Sequence, residues 1–87
     1  MSRPSIFITG AAAGIGQATA RLFAAKGWYV GLFDVDETGV QRLRQELGAN
    51  NSYAAKLDVC SPEAWQQTLA DFVQHAGRLD VLLNNAG

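Results

Sequence analysis

With 87 residues, 48% hydrophobic and 17% charged, the chain has room for one thin-cored domain at most and is too apolar to be disordered. A formal net charge of −1 without a Lys or Arg cluster excludes a nucleic-acid surface, and no apolar run reaches the ~20 residues of a membrane span. The single cysteine, Cys60, excludes an internal disulfide and a cysteine-built metal cluster; with no signal-peptide body after Met1, the expected setting is cytoplasmic.

In chain order, Ser5 to Thr9 is a short apolar run punctuated by Gly10, which predicts a strand buried on both faces. Ile15, Ala18, Leu22 and Ala25 then recur at helical spacing, with Gln17, Arg21 and Lys26 between them and Gly27 as the C-terminal cap. That stripe is expected to face the sheet. Tyr29 to Phe33 predicts a second strand ending on Asp34, and Asp36 caps a second helix with the stripe Val40, Leu43 and Leu47 before Gly48. Ser52 to Leu57 is the third strand, ending on Asp58.

Ser61-Pro62-Glu63 is a helix start with a hydroxyl cap, a proline at the first position and an acid in the first turn, followed by the stripe Trp65, Leu69, Phe72 and Val73 and closed by Gly77. Asp80 to Leu83 is a fourth strand so apolar that it calls for cover on both faces and a neighbour on each edge. Alternating strands and helices with short connections give an α/β fold: a Rossmann-type, doubly wound parallel sheet, of which residues 1–87 are the N-terminal βαβαβαβ part, in the order 3-2-1-4, of a larger domain. A ligand belongs where the first and fourth strands lie side by side and the winding reverses.

The glycines after the first strand have separate tasks. Gly10 turns the chain sharply, Gly14 leaves no Cβ in the path of a pyrophosphate, and Gly16 lets the helix sit close to the sheet. Helix N-terminal amides then hold the anion without a cationic side chain. The nucleotide-triphosphate loop is excluded because no Lys follows the glycines, and the G-x-G-x-x-G spacing is not met.

Thr9 to Gly16 resembles the cofactor turn T-G-x-x-x-G-x-G of the short-chain dehydrogenase/reductase family, and three further family features follow in order: Asp34 ending the second strand, Asp58-Val59 ending the third, and Asn84-Asn85-Ala86-Gly87 after the fourth. The resemblance spans this whole chain, which is about the first third of a typical member. It implies that Gly10, Gly14, Ile15 and Gly16 line the pyrophosphate, with Ala13 among the cofactor-binding residues of the same turn, that Asp34 accepts from the adenosine ribose, and that Asp58 and Val59 border the adenine. Asn84, Asn85, Ala86 and Gly87 would pass beside the cofactor ribose, one Asn also tying neighbouring strands; plain turn chemistry is the alternative for both asparagines.

Asp34 lies 18 positions beyond Gly16, near the ~20 expected of a ribose-reading acid. A 2′-phosphate there would meet a like charge costing about 4 kcal/mol at 4 Å and an effective dielectric of 20. Family members that take the phosphorylated cofactor often carry a basic residue where this chain has Ala13 or Val35. NAD is therefore the expected cofactor, in preference to NADP.

Hydride transfer in the family uses a Ser, and a Tyr and Lys spaced Y-x-x-x-K. Here Phe33 stands four places after Tyr29 and Leu57 four after Tyr53, with Lys56 one short, so no catalytic residue is expected among these 87, nor any metal ligand. His75 suits the end of a helix, and Cys60, beside the start of one, is expected to be a small buried apolar residue. The resemblance implies a parent oxidoreductase acting on a small-molecule alcohol or carbonyl, assembled as a dimer or tetramer. A non-catalytic dinucleotide-binding sensor or interaction module is the alternative. The fourth strand's free edge predicts poor solubility or dependence on partner chains for the piece alone.

Overall fold

Residues 3–85, the part that the computed structural model describes, run β1 (Ser5–Thr9), α1 (Gly14–Ala25), β2 (Tyr29–Asp34), α2 (Glu37–Leu47), β3 (Ser52–Lys56), α3 (Pro62–Ala76) and β4 (Val81–Asn84). The four strands form one parallel sheet in the order β3-β2-β1-β4. Right-handed crossovers put α1 and α2 on one face and bring α3 back across the other, as the alternating sequence pattern requires.

Strand alternation sorts the core into two chemically different layers. Ile6 and Ile8 of β1 join Val30, Leu32, Ala20, Val40 and Leu43 in an aliphatic layer beneath α1 and α2. Phe7, between them in sequence, points the other way into an aromatic layer with Phe33, Leu57 and Phe72. Phe7 stacks on Phe33 at 4.2 Å between ring centroids and meets Phe72 edge-on at 5.6 Å. Gly31 makes that packing possible, since a Cβ there would stand 2.6 Å from the Phe33 ring and 2.7 Å from the Phe72 ring.

The inward face of α1 differs from the expected one. Ile15 and Leu22 are 71% and 54% exposed, Ala18 and Ala25 are exposed as well, and the helix instead turns Gly16 and Ala20 to the sheet with Phe23 and Ala24 half-buried beside them. The cause is distance. A Cβ on Gly16 would stand 2.2 Å from the Gly10 carbonyl oxygen, so the helix N-terminus approaches the sheet too closely for any large side chain. Only where α1 draws away does Phe23 fit, edge-on to Trp28 at 4.9 Å. Two apolar stripes share the helical period, and side-chain volume decides between them.

β4 pairs with β1 alone among the described residues. The expected cover on both faces is not found within residues 3–85, because α1 packs chiefly over β1 and β2 and α3 over β1 and β3. Val81 and Leu82 are left 39% and 41% exposed. Just before the strand, Asp80 pairs with Arg78 at 2.6 Å and accepts from the Ser5 N–H at 2.8 Å, which hold its carboxyl below the usual range. β3 stops one residue before the expected Leu57, which is buried and still donates its N–H to the Asp34 carbonyl at 3.0 Å.

Candidate functional site

The C-terminal ends of β1 and β4 lie side by side, while the chain leaves β1 toward one face and reaches β4 from the other. The glycine turn occupies this point of reversal. Gly10 and Gly14 adopt φ of 67° and 59°, and the Ala11 N–H anchors the turn to the Phe33 carbonyl at 3.1 Å. Nothing lies within 4 Å of a Cβ built on Gly14, so the turn presents open space there. From the other side, buried Thr9 donates its hydroxyl to Asn84 Oδ1 at 3.0 Å and accepts from the Asn85 N–H at 2.9 Å, tying the two strand ends together. Asn85 Nδ2 lies 3.1 Å from where a Gly16 Cβ would stand.

The three helices begin differently. Asp36 caps α2 by accepting from the Gly39 N–H at 3.0 Å, Ser61 caps α3 by accepting from the Ala64 N–H at 3.3 Å, and each helix has an acid in its first turn, Glu37 and Glu63. α1 has neither device. Its cap residue, Ala13, is extended at φ −156° with no side chain to offer, and no acid stands in its first turn. The first helical bond is Gln17 N–H to the Ala13 carbonyl at 3.3 Å, so the amides of Gly14, Ile15 and Gly16 precede the ladder. Unpaired amides and the positive end of the helix dipole make this the terminus suited to an anion from outside the chain.

Asp34 is held in place before any ligand arrives. One carboxylate oxygen accepts from the Ala12 N–H at 3.1 Å and the other from the Asp36 N–H at 3.0 Å. Each oxygen retains a lone pair, so the group can accept from two neighbouring hydroxyls. Gln17 steadies the same turn by donating to the Ala12 carbonyl at 3.2 Å. Strand register also sets exposed Lys56 opposite Asp34, a pairing that spacing along the chain did not reveal.

The structure thus brings Gly10, Ala13, Gly14, Ile15, Gly16, Asp34, Asn84 and Asn85 to one end of the sheet. Asp58 follows β3, where its carboxylate accepts from the Cys60 N–H at 2.9 Å in a turn that leaves Cys60 exposed, not buried as expected. Val59 lines an open cleft of about 170 Å³ with Pro62, Trp65 and Asn84. Ala86 and Gly87 lie outside the described residues. Sequence reading missed Ala12, Gln17 and Gly39. Only Gly39 left a trace, as a glycine inside a predicted first turn.

Tyr29 lies at the far end of β2, where burial pushes its phenol up and Arg3 sits 5.4 Å over its ring. Tyr53 and Lys56, three apart on one strand, face opposite sides of the sheet, and the Tyr53 ring packs on His75 at 4.5 Å. Among the described residues there is no group of three or more metal-ligating side chains, and no helix is long and apolar enough to cross a membrane.

Comparison with known proteins agrees with this geometry. The sequence profile described as short chain dehydrogenase matches residues 4–87. Meso-2,3-butanediol dehydrogenase of Serratia marcescens is 38% identical over 94% of this chain and 33% of its own length. NAD-dependent glycerol dehydrogenase of Listeria innocua is 35% identical over 92% of this chain and 31% of its own. Among solved structures, a 3-ketoacyl-(acyl-carrier-protein) reductase from Brucella melitensis complexed with NADH superposes with a TM-score of 0.85 at 28% identity, covering 92% of this chain and 32% of that one. The chain therefore spans about a third of the length of the curated relatives it matches (33% and 31% of these two).

Proposed function

The chain belongs to the short-chain dehydrogenase family, and from that premise we propose that it is the dinucleotide-holding part of an oxidoreductase that uses NAD(H) in preference to NADP(H). The parent protein exchanges a hydride between the nicotinamide and a small-molecule alcohol or carbonyl, works in the cytoplasm, and assembles as a dimer or tetramer. The whole chain, residues 1–87, is one part of its nucleotide-binding domain. Its own residues bind and select; the groups that move the proton are supplied elsewhere in the parent.

The observation that carries this reading is the contrast among helix starts: α1 alone lacks both a side-chain cap and a first-turn acid, and it begins beside an open glycine turn. The donor set fits a dinucleotide. The amides of Gly14, Ile15 and Gly16 suit the pyrophosphate, and Asp34 suits two ribose hydroxyls because both its oxygens are fixed by backbone amides. Asp58 and Val59 are assigned to the adenine side, and Asn84, Asn85, Ala86 and Gly87 to the nicotinamide half. When bound, the nicotinamide supplies the hydride acceptor or donor.

Asp34 carries the preference between dinucleotides. A 2′-phosphate would have to approach a carboxylate that is anchored and cannot swing away. Titrating the complete protein with NADH and NADPH should show NADH binding at least about tenfold tighter, and Asp34→Ala should narrow the ratio to about threefold or less. Equal or tighter NADPH binding by the native protein would overturn the assignment.

A further inference from the structure

We infer that Gly39, on α2, is a positioning residue for dinucleotide selection, acting through both of the backbone amides that hold Asp34; this rests on the reading of Asp34 as the ribose-binding acid. Gly39 is the third residue of α2, a place where glycine is disfavoured relative to alanine in an ordinary helix. Here the side chain is forbidden by neighbours. A Cβ on Gly39 would stand 2.6 Å from Asp36 Oδ2 and 2.9 Å from the Ala12 Cβ.

Those two neighbours are the ones that matter to Asp34. Ala12 donates its N–H to one Asp34 oxygen and Asp36 donates its N–H to the other. The Asp36 carboxylate has little freedom to move aside, because its second oxygen already accepts from the Gly39 N–H at 3.0 Å. Ala12 has none, since its methyl is fixed to the backbone whose amide does the holding. A methyl at position 39 therefore presses on both donors at once and turns the carboxylate from the orientation in which two lone pairs face outward. Of the glycine turn, the atom that such a Cβ meets first is the methyl of Ala12, not Gly14 or Gly16. Affinity common to both dinucleotides should survive, while discrimination between them should not.

The test is the binding of NADH and of NADPH to the complete protein carrying Gly39→Ala, Asp34→Ala, or the methyl exchange Ala12→Gly/Gly39→Ala, with thermal melting recorded alongside. Gly39→Ala is expected to weaken NADH about tenfold while leaving NADPH within about threefold, bringing the ratio near that of Asp34→Ala, and the exchange, which relieves the contact with Ala12 and leaves that with Asp36 Oδ2, should return part of the native ratio. Retention of the native ratio by Gly39→Ala, or equal weakening of both dinucleotides that the exchange leaves in place, would overturn the inference. If Gly39→Ala fails to fold, the exchange decides: a folded protein whose ratio lies between those of the native chain and Asp34→Ala supports the inference, and an unfolded or fully indiscriminate one refutes it. Collapse of the ratio in Asp34→Ala but not in Gly39→Ala refutes the role of Gly39 alone. An unchanged ratio in Asp34→Ala removes the reading of Asp34 and this inference with it.

Discussion

α2 and α3 close their own N-termini, and α1 does not. Asp36 and Ser61 each return an oxygen to a first-turn amide, and Glu37 and Glu63 oppose the positive end of the dipole; at Ala13 neither device is present. A helix without a cap forgoes about 1 kcal/mol. The fold accepts that cost at one helix of three, and it is the one that starts at the point of reversal between β1 and β4. On the proposed function, a ligand's charge would supply there the stabilisation that the cap residues supply at the other two helices. The same division separates the two faces of α1, with Gly16 and Ala20 spent on close approach to the turn while Ile15 and Leu22 remain outside.

The contrast can be broken most severely at Gly16. Replacing it with alanine sets a Cβ against the Gly10 carbonyl oxygen and carbon at 2.2 and 2.8 Å, both backbone atoms of the turn itself. The helix must lift from the turn, and a displacement on the order of 1 Å costs about a hundredfold in a positioned site. Dinucleotide titration of Gly16→Ala should show at least that loss, with destabilisation of about 1–3 kcal/mol from overpacking. Near-native affinity would mean that the close approach has no bearing on binding.

A smaller intervention makes α1 resemble its neighbours. Ala13→Asp supplies a cap carboxylate and should stabilise the protein by about 0.5–2 kcal/mol in chemical denaturation. It should also weaken NADH by at least about tenfold, because the new charge occupies the position meant for the anion. Stability and affinity moving in opposite directions is the signature; both rising together would contradict it. The converse change at a closed terminus, Ser61→Ala, should lose about 1 kcal/mol and leave NADH binding unaltered.

The smallest effect is electrostatic and lies away from the helix starts. Arg21 of α1 pairs with Glu46 of α2 at 2.7 Å, and its hydrogen bond holds the Glu46 carboxyl below the usual range, as Arg78 and the Ser5 N–H do for Asp80. Both acids are lowered in the folded state. The stability they add is therefore complete above the ordinary carboxylate range and lost as pH falls through their lowered values. Melting temperature followed from neutral to acid pH should fall more gently in Glu46→Gln and Asp80→Asn than in the native chain, with NADH affinity at neutral pH unchanged.

The strand order and the glycine turn were legible in the sequence because both rest on backbone requirements that leave residue marks: β-branched and apolar runs for buried parallel strands, glycines where φ is positive or Cβ has no room. The closed helix starts were legible for the same reason, since Asp36 and Ser61 act on amides three residues away. α1's inward face was not, because two stripes of equal period differ only in volume and the narrow gap at Gly10 cannot be seen from composition. The donors to Asp34 left no mark either. They are main-chain amides of Ala12 and Asp36, and the contact of Ala12 with Gly39 joins residues 27 apart through the packing of one helix on a turn.

The central claim, that the opening of α1 and the tip of β2 together hold an unphosphorylated dinucleotide, is tested most directly by mapping backbone amide chemical shifts of the complete protein during an NADH titration. The largest changes should fall on Gly14, Ile15 and Gly16 and on the Ala12 and Asp36 amides that hold Asp34, with the amides of Ala64 at the start of α3 unmoved. Saturable NADH binding that leaves those five amides in place would contradict the account.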